Sequence, residues 1–248
     1  MPSKPPSISA FFPAYNDGGT IGSLVVTTLK TLAEVTDDYE VFVVENGSTD
    51  YTVEVLEELA RQSGHFHYYA HREPLGYGGA LRVGFARATR DLVFYTDGDA
   101  QYDPRELKQL LAALTPDVAV VNGWKIDRSD PLHRVIIGRV YHHVVKFLFG
   151  FRLRDVDCDF RLIRRDALAT IDLESDSGTI CLELVKKLQD AGHRFAEVPV
   201  HHYHRTYGQS QFFNLPRLWR TGVQLIALWW KLVVRREHLR PRGRQEHS

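Results

Sequence analysis

The chain is short of sulfur, of long apolar runs and of net charge, and each shortage removes a class of protein. Only Cys158 and Cys181 occur among 248 residues, too few for a disulfide framework and not spaced as a Cys-x-x-Cys motif, which fits a reducing compartment. A His-Glu-x-x-His zinc motif is also absent. The longest apolar run, Val223 to Val234, is interrupted by Lys231 and falls short of the ~20 residues that span a bilayer. Met1 to Pro6 is proline-rich, with no apolar stretch of signal type before the first strand, so export is not indicated. The expected location is therefore cytoplasmic, with peripheral contact at the inner membrane face left open. The 31 Lys+Arg balance 31 Asp+Glu, which excludes a strongly basic nucleic-acid binder.

The zero net charge hides an asymmetry. Residues 1–124 carry 9 Lys+Arg and 17 Asp+Glu, net −8, whereas residues 125–248 carry 22 and 14, net +8. Such a split is either a chance distribution of solvated faces or an acidic half that holds a metal beside a basic half that holds an anion. With 44% hydrophobic residues, the chain is long enough for one α/β domain with a sizeable core.

Periodicity predicts alternating elements. Ser7 to Phe12 reads as a buried strand stopping at Pro13, and Thr20 to Val35 as a helix. Strands are expected at Tyr39 to Val44, Phe66 to Ala70, Leu92 to Thr96 and Val118 to Val121, with helices from Asp50 to Gln62, Gly78 to Thr89 and Asp103 to Leu114 between them. This alternation implies right-handed crossovers and a mostly parallel sheet, with ligands beyond the carboxyl ends of the strands. After Trp124 come an apolar-faced helix (Leu132 to Phe149), a charged stretch (Asp155 to Arg165), a helix (Gly178 to Ala191), a strand (Phe195 to Val200) and a polar loop (His201 to Gln211). Leu215 to Arg236 reads as an amphipathic helix with Trp219, Trp229 and Trp230, either packed core or an interfacial helix on anionic lipid.

The most informative segment is Asp97-Gly98-Asp99, just past a buried strand. Carboxylates at i and i+2 point to one side of the backbone, and glycine between them permits a tight turn. The pair offers hard oxygen ligands to Mg²⁺ or Mn²⁺. Competing nucleotide motifs fail on their letters. In Gly76-Tyr77-Gly78-Gly79-Ala80-Leu81 the sixth position is not glycine, and no Gly-x-x-x-x-Gly-Lys-Ser/Thr loop exists.

Taken in order, Phe12-Pro13-Ala14-Tyr15-Asn16-Asp17, Val44-Glu45-Asn46-Gly47-Ser48-Thr49-Asp50, Gly76 to Leu81, Asp97-Gly98-Asp99, Asp157 to Leu162 and Arg205 to Ser210 resemble the family 2 inverting glycosyltransferases of the GT-A fold. The closest subgroup is that of the dolichyl-phosphate mannose synthase-like, polyprenyl-phosphate glycosyltransferases. The resemblance implies a GT-A domain over residues 1–213, with a Rossmann-like nucleotide-sugar half (7–124) and an acceptor half (125–213), followed by an amphipathic helix and basic tail (214–248). It also implies residue roles. Pro13, Ala14, Tyr15, Asp17 and Glu45 would face the nucleotide, with Gly78, Gly79 and Arg82 near the base. Asp97 and Asp99 would hold the metal, with Gln101 close by, and Ser210 would contact substrate. Arg161 and Arg205 would bind phosphate, unless Arg161 is a structural ion pair with a nearby Asp, and Asp159 would be the general base, with Glu183 a weaker candidate.

The expected activity is metal-dependent transfer of a hexose from a GDP- or UDP-sugar to a polyprenyl phosphate. A glycan or metabolite hydroxyl is the alternative acceptor, and a non-catalytic nucleotide-sugar binder the alternative class. A phosphate monoester is already mostly dianionic at neutral pH, so only a hydroxyl acceptor needs the base. Of His201, His202 and His204, one could supply a further metal ligand, or all could be merely hydrogen-bonded or exposed.

Overall fold

A computed structural model describes residues 6–126, 142–205, 207 and 215–240, with side chains of the last stretch from Arg220 onward. Residues 132–141 of the predicted helix, Gly208, Ser210, the side chains of Arg217 and Trp219, and the tail arginines Arg242 and Arg244 lie outside the described residues.

The strands are β1 (Ile8–Ala14), β2 (Tyr39–Asn46), β3 (Phe66–His71), β4 (Leu92–Thr96), β5 (Val120–Ile126), β6 (Phe160–Arg164) and β7 (Phe195–His201). They form one sheet in the order β3-β2-β1-β4-β6-β5-β7. All neighbours pair in parallel except β6, which runs antiparallel to β4 and β5. The predicted mostly parallel α/β sheet is therefore present. β1 runs on through Pro13 because only its β2 side pairs there, the ladder to β4 ending at Phe11.

Helices α1 (Ile21–Ala33), α2 (Thr52–Gln62) and α4 (Leu107–Ala113) cover one face, where Leu24, Leu32, Leu56 and Leu110 meet Ile8, Phe12 and Phe94. On the other face lie α3 (Gly76–Arg87), the short α6 (Arg165–Leu168) and α7 (Ile180–Asp190). A smaller cluster packs residues 142–149 (α5) against α7 and α8 (Leu215–Trp229) through Val145, Phe149, Leu182, Val185 and Leu228.

Sequence reading missed β6, taking Asp155 to Arg165 as a charged stretch. The reason is Arg161, a cation at 0% exposure in mid-strand, where patterning expects an apolar residue. It belongs to a row of side chains crossing the sheet in register. Phe42 pairs with Phe11, Phe11 with Tyr95, Tyr95 with Arg161, and Arg161 with Asn122. Phe11 stacks on Phe42 and Tyr95 at ring-centroid distances of 5.4 and 5.7 Å. Helix α3 approaches this row so closely that a Cβ on Gly84 would run into the Phe11 ring. Gly84→Ala is expected to lower stability by about 1–3 kcal/mol, read as a lower urea midpoint at unchanged m-value. An unchanged midpoint would show that α3 can shift without cost.

Candidate active site

The loops leaving β1 and β2 are tied to one another. Asn16 sits at φ 57°, a left-handed conformation that Asn tolerates better than most residues. From there its Oδ1 accepts from the Thr49 and Asp50 amides at 2.7 and 3.3 Å, while its own N–H donates to Ser48 Oγ. Gly18 N–H donates to Asp50, and Asp17 N–H to Thr52 Oγ1. Glu45, expected to face the nucleotide, is instead buried and accepts from Ser48 N–H at 2.5 Å. Its neighbour Asn46 holds the entry to α3, accepting from Leu75 N–H and donating to the Gly76 carbonyl. Pro13 and Ala14 are buried strand residues, whereas Tyr15 is 44% exposed at the sheet edge.

β4 delivers Asp97-Gly98-Asp99 to the same edge. A Cβ on Gly98 would stand 2.7 Å from the Pro13 carbonyl and 3.2 Å from Asp17 Oδ2, so the absence of a side chain lets the first and fourth loops meet. Asp99 is 6% exposed. Its Oδ1 accepts from Gln101 N–H at 3.1 Å and its Oδ2 from Arg205 Nη2 at 2.5 Å. Asp97 accepts from the Tyr77 hydroxyl at 2.7 Å. Burial, with Asp159 and Asp99 nearby, pushes the Asp97 carboxyl well above the usual range. Antiparallel β6 supplies the opposing carboxylate. Because Thr96 pairs with Phe160, Asp97 and Asp159 leave the sheet at one edge.

Asp159 Oδ1 lies 3.2 Å from Arg161 Nη1, 2.9 Å from Cys181 Sγ and 3.4 Å from the Tyr95 hydroxyl. Arg161 also donates to Tyr95 Oη, to the Val156 carbonyl and, at 2.5 Å, to Asn122 Oδ1. A buried guanidinium tolerates desolvation only when its donors are satisfied and its charge is paired, and this set meets both conditions.

Several expectations are corrected by this geometry. Arg161 has no exposed surface to offer a phosphate; it holds Asp159. Gly78 and Gly79 are buried, and Gly78 is glycine because the backbone of Ser175–Asp176 crosses it, its own N–H donating to the Asp176 carbonyl. Arg82 likewise grips that loop through the Glu174 carbonyl and Asp176. Gln101 turns its amide to the Tyr203 carbonyl. Glu183 is buried against Lys187 and the Glu174 and Ser175 amides, which excludes it as a base. His201 is held by Glu106, and His202 lies edge-on to Tyr102. Sequence reasoning missed Tyr77, Tyr95, Asn122 and Cys181. Tyr95 and Asn122 did carry a signal, since each puts a polar group into an otherwise apolar strand.

Among the described residues, the cluster of three or more metal-ligand side chains is His142, Asp155 and Asp157, with ligand atoms within 4.8 Å of one another. Among the described residues no third His, Cys, Asp or Glu brings a ligand atom that close to both Asp97 and Asp99, and on Asp99 the cation is Arg205. The donor chemistry nonetheless suits Mg²⁺ or Mn²⁺: Asp99, Asp97 and Asp17 are carboxylates crowded at one edge, and hard oxygen donors match these ions.

A mostly parallel sheet carrying acidic loops at its carboxyl edge, with one antiparallel strand entering beside them, is the GT-A architecture. The chain belongs to glycosyl transferase family 2, whose model matches residues 9–172. It is 32% identical over 237 residues to glycosyltransferase AglD of Haloferax volcanii, covering 92% of this chain and 38% of that protein. It is 27% identical to an undecaprenyl-phosphate 4-deoxy-4-formamido-L-arabinose transferase of an Enterobacter species, covering 92% of this chain and 66% of that one. The chain thus spans less than two thirds of either relative. Glucosyl-3-phosphoglycerate synthase from Mycobacterium tuberculosis, crystallised with Mn²⁺, UDP-glucose and phosphoglyceric acid, shares the fold at TM-score 0.67 and 20% identity, over 91% of this chain and 79% of that one. The same enzyme with phosphoglyceric acid alone gives 0.68 at 19% identity, with the same coverage.

Burial outweighs the Tyr15 N–H hydrogen bond and raises the Asp17 carboxyl from 3.8 to about 6, with Asp99 adding repulsion. A carboxyl raised on folding keeps its proton longer in the native state, so stability falls as pH rises through the window from 3.8 to about 6. The ionised form then costs up to about 3 kcal/mol. Asp17→Asn is expected to raise Tm at pH 7.5, with the gain shrinking toward pH 4. An equal gain at both pH values would show that ionisation of Asp17 is not its source.

Proposed function

We propose that this domain transfers a hexosyl group, with inversion, from a nucleoside diphosphate sugar to a polyprenyl phosphate. The observation that carries the reading is the meeting of Asp97, Asp99, Asp159 and Arg205 at the carboxyl edge of a family 2 sheet. The names of the relatives support it, one being an undecaprenyl-phosphate sugar transferase and another a synthase crystallised with Mn²⁺ and UDP-glucose.

In this reading Tyr15 and Asp17 border the nucleotide, and Asp99 and Asp97 would hold Mg²⁺ or Mn²⁺. The bound ion supplies compensation for negative charge developing on the leaving nucleoside diphosphate. Arg205 contributes donors to the same charge, its guanidinium fork matching phosphate oxygens. Asp159 has the Arg161, Cys181 and Tyr95 donors around one oxygen. These contacts fix the orientation of the carboxylate at the edge of the site. A phosphate monoester, already mostly dianionic at neutral pH, needs no base from it, and the names of the relatives favour that acceptor over a hydroxyl.

The test is a panel of UDP- and GDP-hexoses with Mn²⁺, assayed for transfer to polyprenyl phosphate. Asp99→Ala is expected to cost at least about 100-fold in transfer with Tm retained, and Asp159→Asn to cost less. Full activity in chelator, or a loss in Asp159→Asn as large as in Asp99→Ala, would overturn the metal or the acceptor assignment respectively.

A peripheral membrane position belongs to the same proposal. No helix among the described residues is long and apolar enough to cross a membrane. Exposed apolar residues instead form a helical stripe on α8 and the turn that follows it, Val223, Ile226, Trp230 and Val234, with Ile226 65% exposed. Val144 and Phe147 are exposed on α5, which is bound to α8 by Trp229 Nε1–H donating to the Leu148 carbonyl. Arg220, Arg235, Arg236 and Arg240 accompany the stripe, a composition suited to anionic lipid. Flotation with phosphatidylglycerol vesicles at low salt is expected to carry the protein, and Ile226→Asp with Trp230→Asp to abolish it. Flotation unchanged by that pair would remove the stripe from the contact.

A further inference from the structure

We infer that, in the absence of donor, Arg205 stands on Asp99 in the place of the divalent cation, so that guanidinium and metal are mutually exclusive partners of one carboxylate. The inference rests on the glycosyltransferase reading and names the residue that controls access to its metal.

Both oxygens of Asp99 are engaged, Oδ1 by the Gln101 amide and Oδ2 by Arg205. The pair is largely withdrawn from solvent, the side chains being 7% and 31% exposed. Asp99 is nearly buried and lies beside the carboxyls of Asp17 and Asp97, so its charge needs a countercharge whether or not metal is present. Arg205 supplies one positive charge where a divalent ion would supply two. A divalent ion on Oδ2 would meet the guanidinium within a few ångströms, where like charges repel strongly at reduced dielectric. Arg205 must then leave.

It cannot go far. The segment before it is laced to the loop that carries Asp99. His201 N–H and Nδ1 meet the two Glu106 oxygens at 2.9 and 2.6 Å, and Tyr203 N–H donates to the Gln101 carbonyl at 2.8 Å. Gln101 Nε2–H returns a bond to the Tyr203 carbonyl at 2.9 Å. This lacing keeps a displaced Arg205 beside the edge, where the anionic part of a nucleotide can receive it. Cation and nucleotide binding are thereby coupled. The ion alone must break the Arg205 pair, whereas the ion with nucleoside diphosphate exchanges that pair for another. By linkage each ligand then tightens the other.

The test is Mn²⁺ titration of the nucleotide-free protein by electron paramagnetic resonance, with no turnover involved. Arg205→Gln is expected to bind Mn²⁺ about tenfold tighter than wild type, the equivalent of ~1.4 kcal/mol. Arg105→Gln, which removes a charge on the same loop without touching Asp99, should leave the affinity unchanged. UDP or GDP should tighten Mn²⁺ binding in wild type and do so far less in Arg205→Gln. Arg205→Lys retains a positive charge on a shorter side chain and should fall between the two. It also serves if Arg205→Gln loses its thermal transition. Arg205→Gln binding no tighter than wild type, or Arg105→Gln tightening equally, overturns the inference while leaving the function reading intact if Mn²⁺-dependent donor hydrolysis persists. Mn²⁺ affinity insensitive to Asp99→Asn, with no donor hydrolysis, overturns both.

Discussion

The buried guanidinium of Arg161 is the constraint on which the rest of the site depends. A cation with no exposed surface must find acceptors from every side, and it finds them on the two strands that flank β6 and in the turn before it: Tyr95 on β4, Asn122 on β5, and Asp159 with the Val156 carbonyl. Satisfying that one side chain fixes the register of the single antiparallel strand. The register in turn sets Asp159 across from Asp97. A slip of one residue would turn Arg161 to the opposite face of the sheet and strand an unpaired charge there.

A second electrostatic constraint acts at the loops. Crowding Asp17, Asp97, Asp99 and Asp159 at one edge is unfavourable without cations, and the chain distributes those cations by depth. Arg161 neutralises from below the edge and Arg205 from above it. The −8 and +8 halves of the sequence meet here, since both arginines come from the basic half and three of the four carboxylates from the acidic half. Other charges face solvent, as in the Arg61–Glu58 and Arg194–Asp117 pairs, and pairs of that kind contribute little to the fold.

Much of the architecture was legible in the sequence because its causes are local. Hydrophobic period and turn chemistry gave six of the strands and the alternation of helices, and the Asp97-Gly98-Asp99 turn announced itself by composition. The seventh strand was hidden by Arg161, since a charge in mid-strand reads as surface until its partners are known. Glycines 78 and 79 read as ligand-facing for a related reason: what Gly78 accommodates is a backbone segment about a hundred residues later in the chain.

The sequence alone therefore determined a mostly parallel α/β sheet, a family 2 signature and acidic loops at the strand ends, because helix and strand periods and tight-turn residues act over a few positions. Only the tertiary structure decided which of the candidate residues touch. The Arg205 to Asp99 pair joins residues 106 positions apart, and the Arg161 to Tyr95 contact spans 66. Those meetings are set by sheet order and register, which arise from burial of whole faces rather than from any local run of letters.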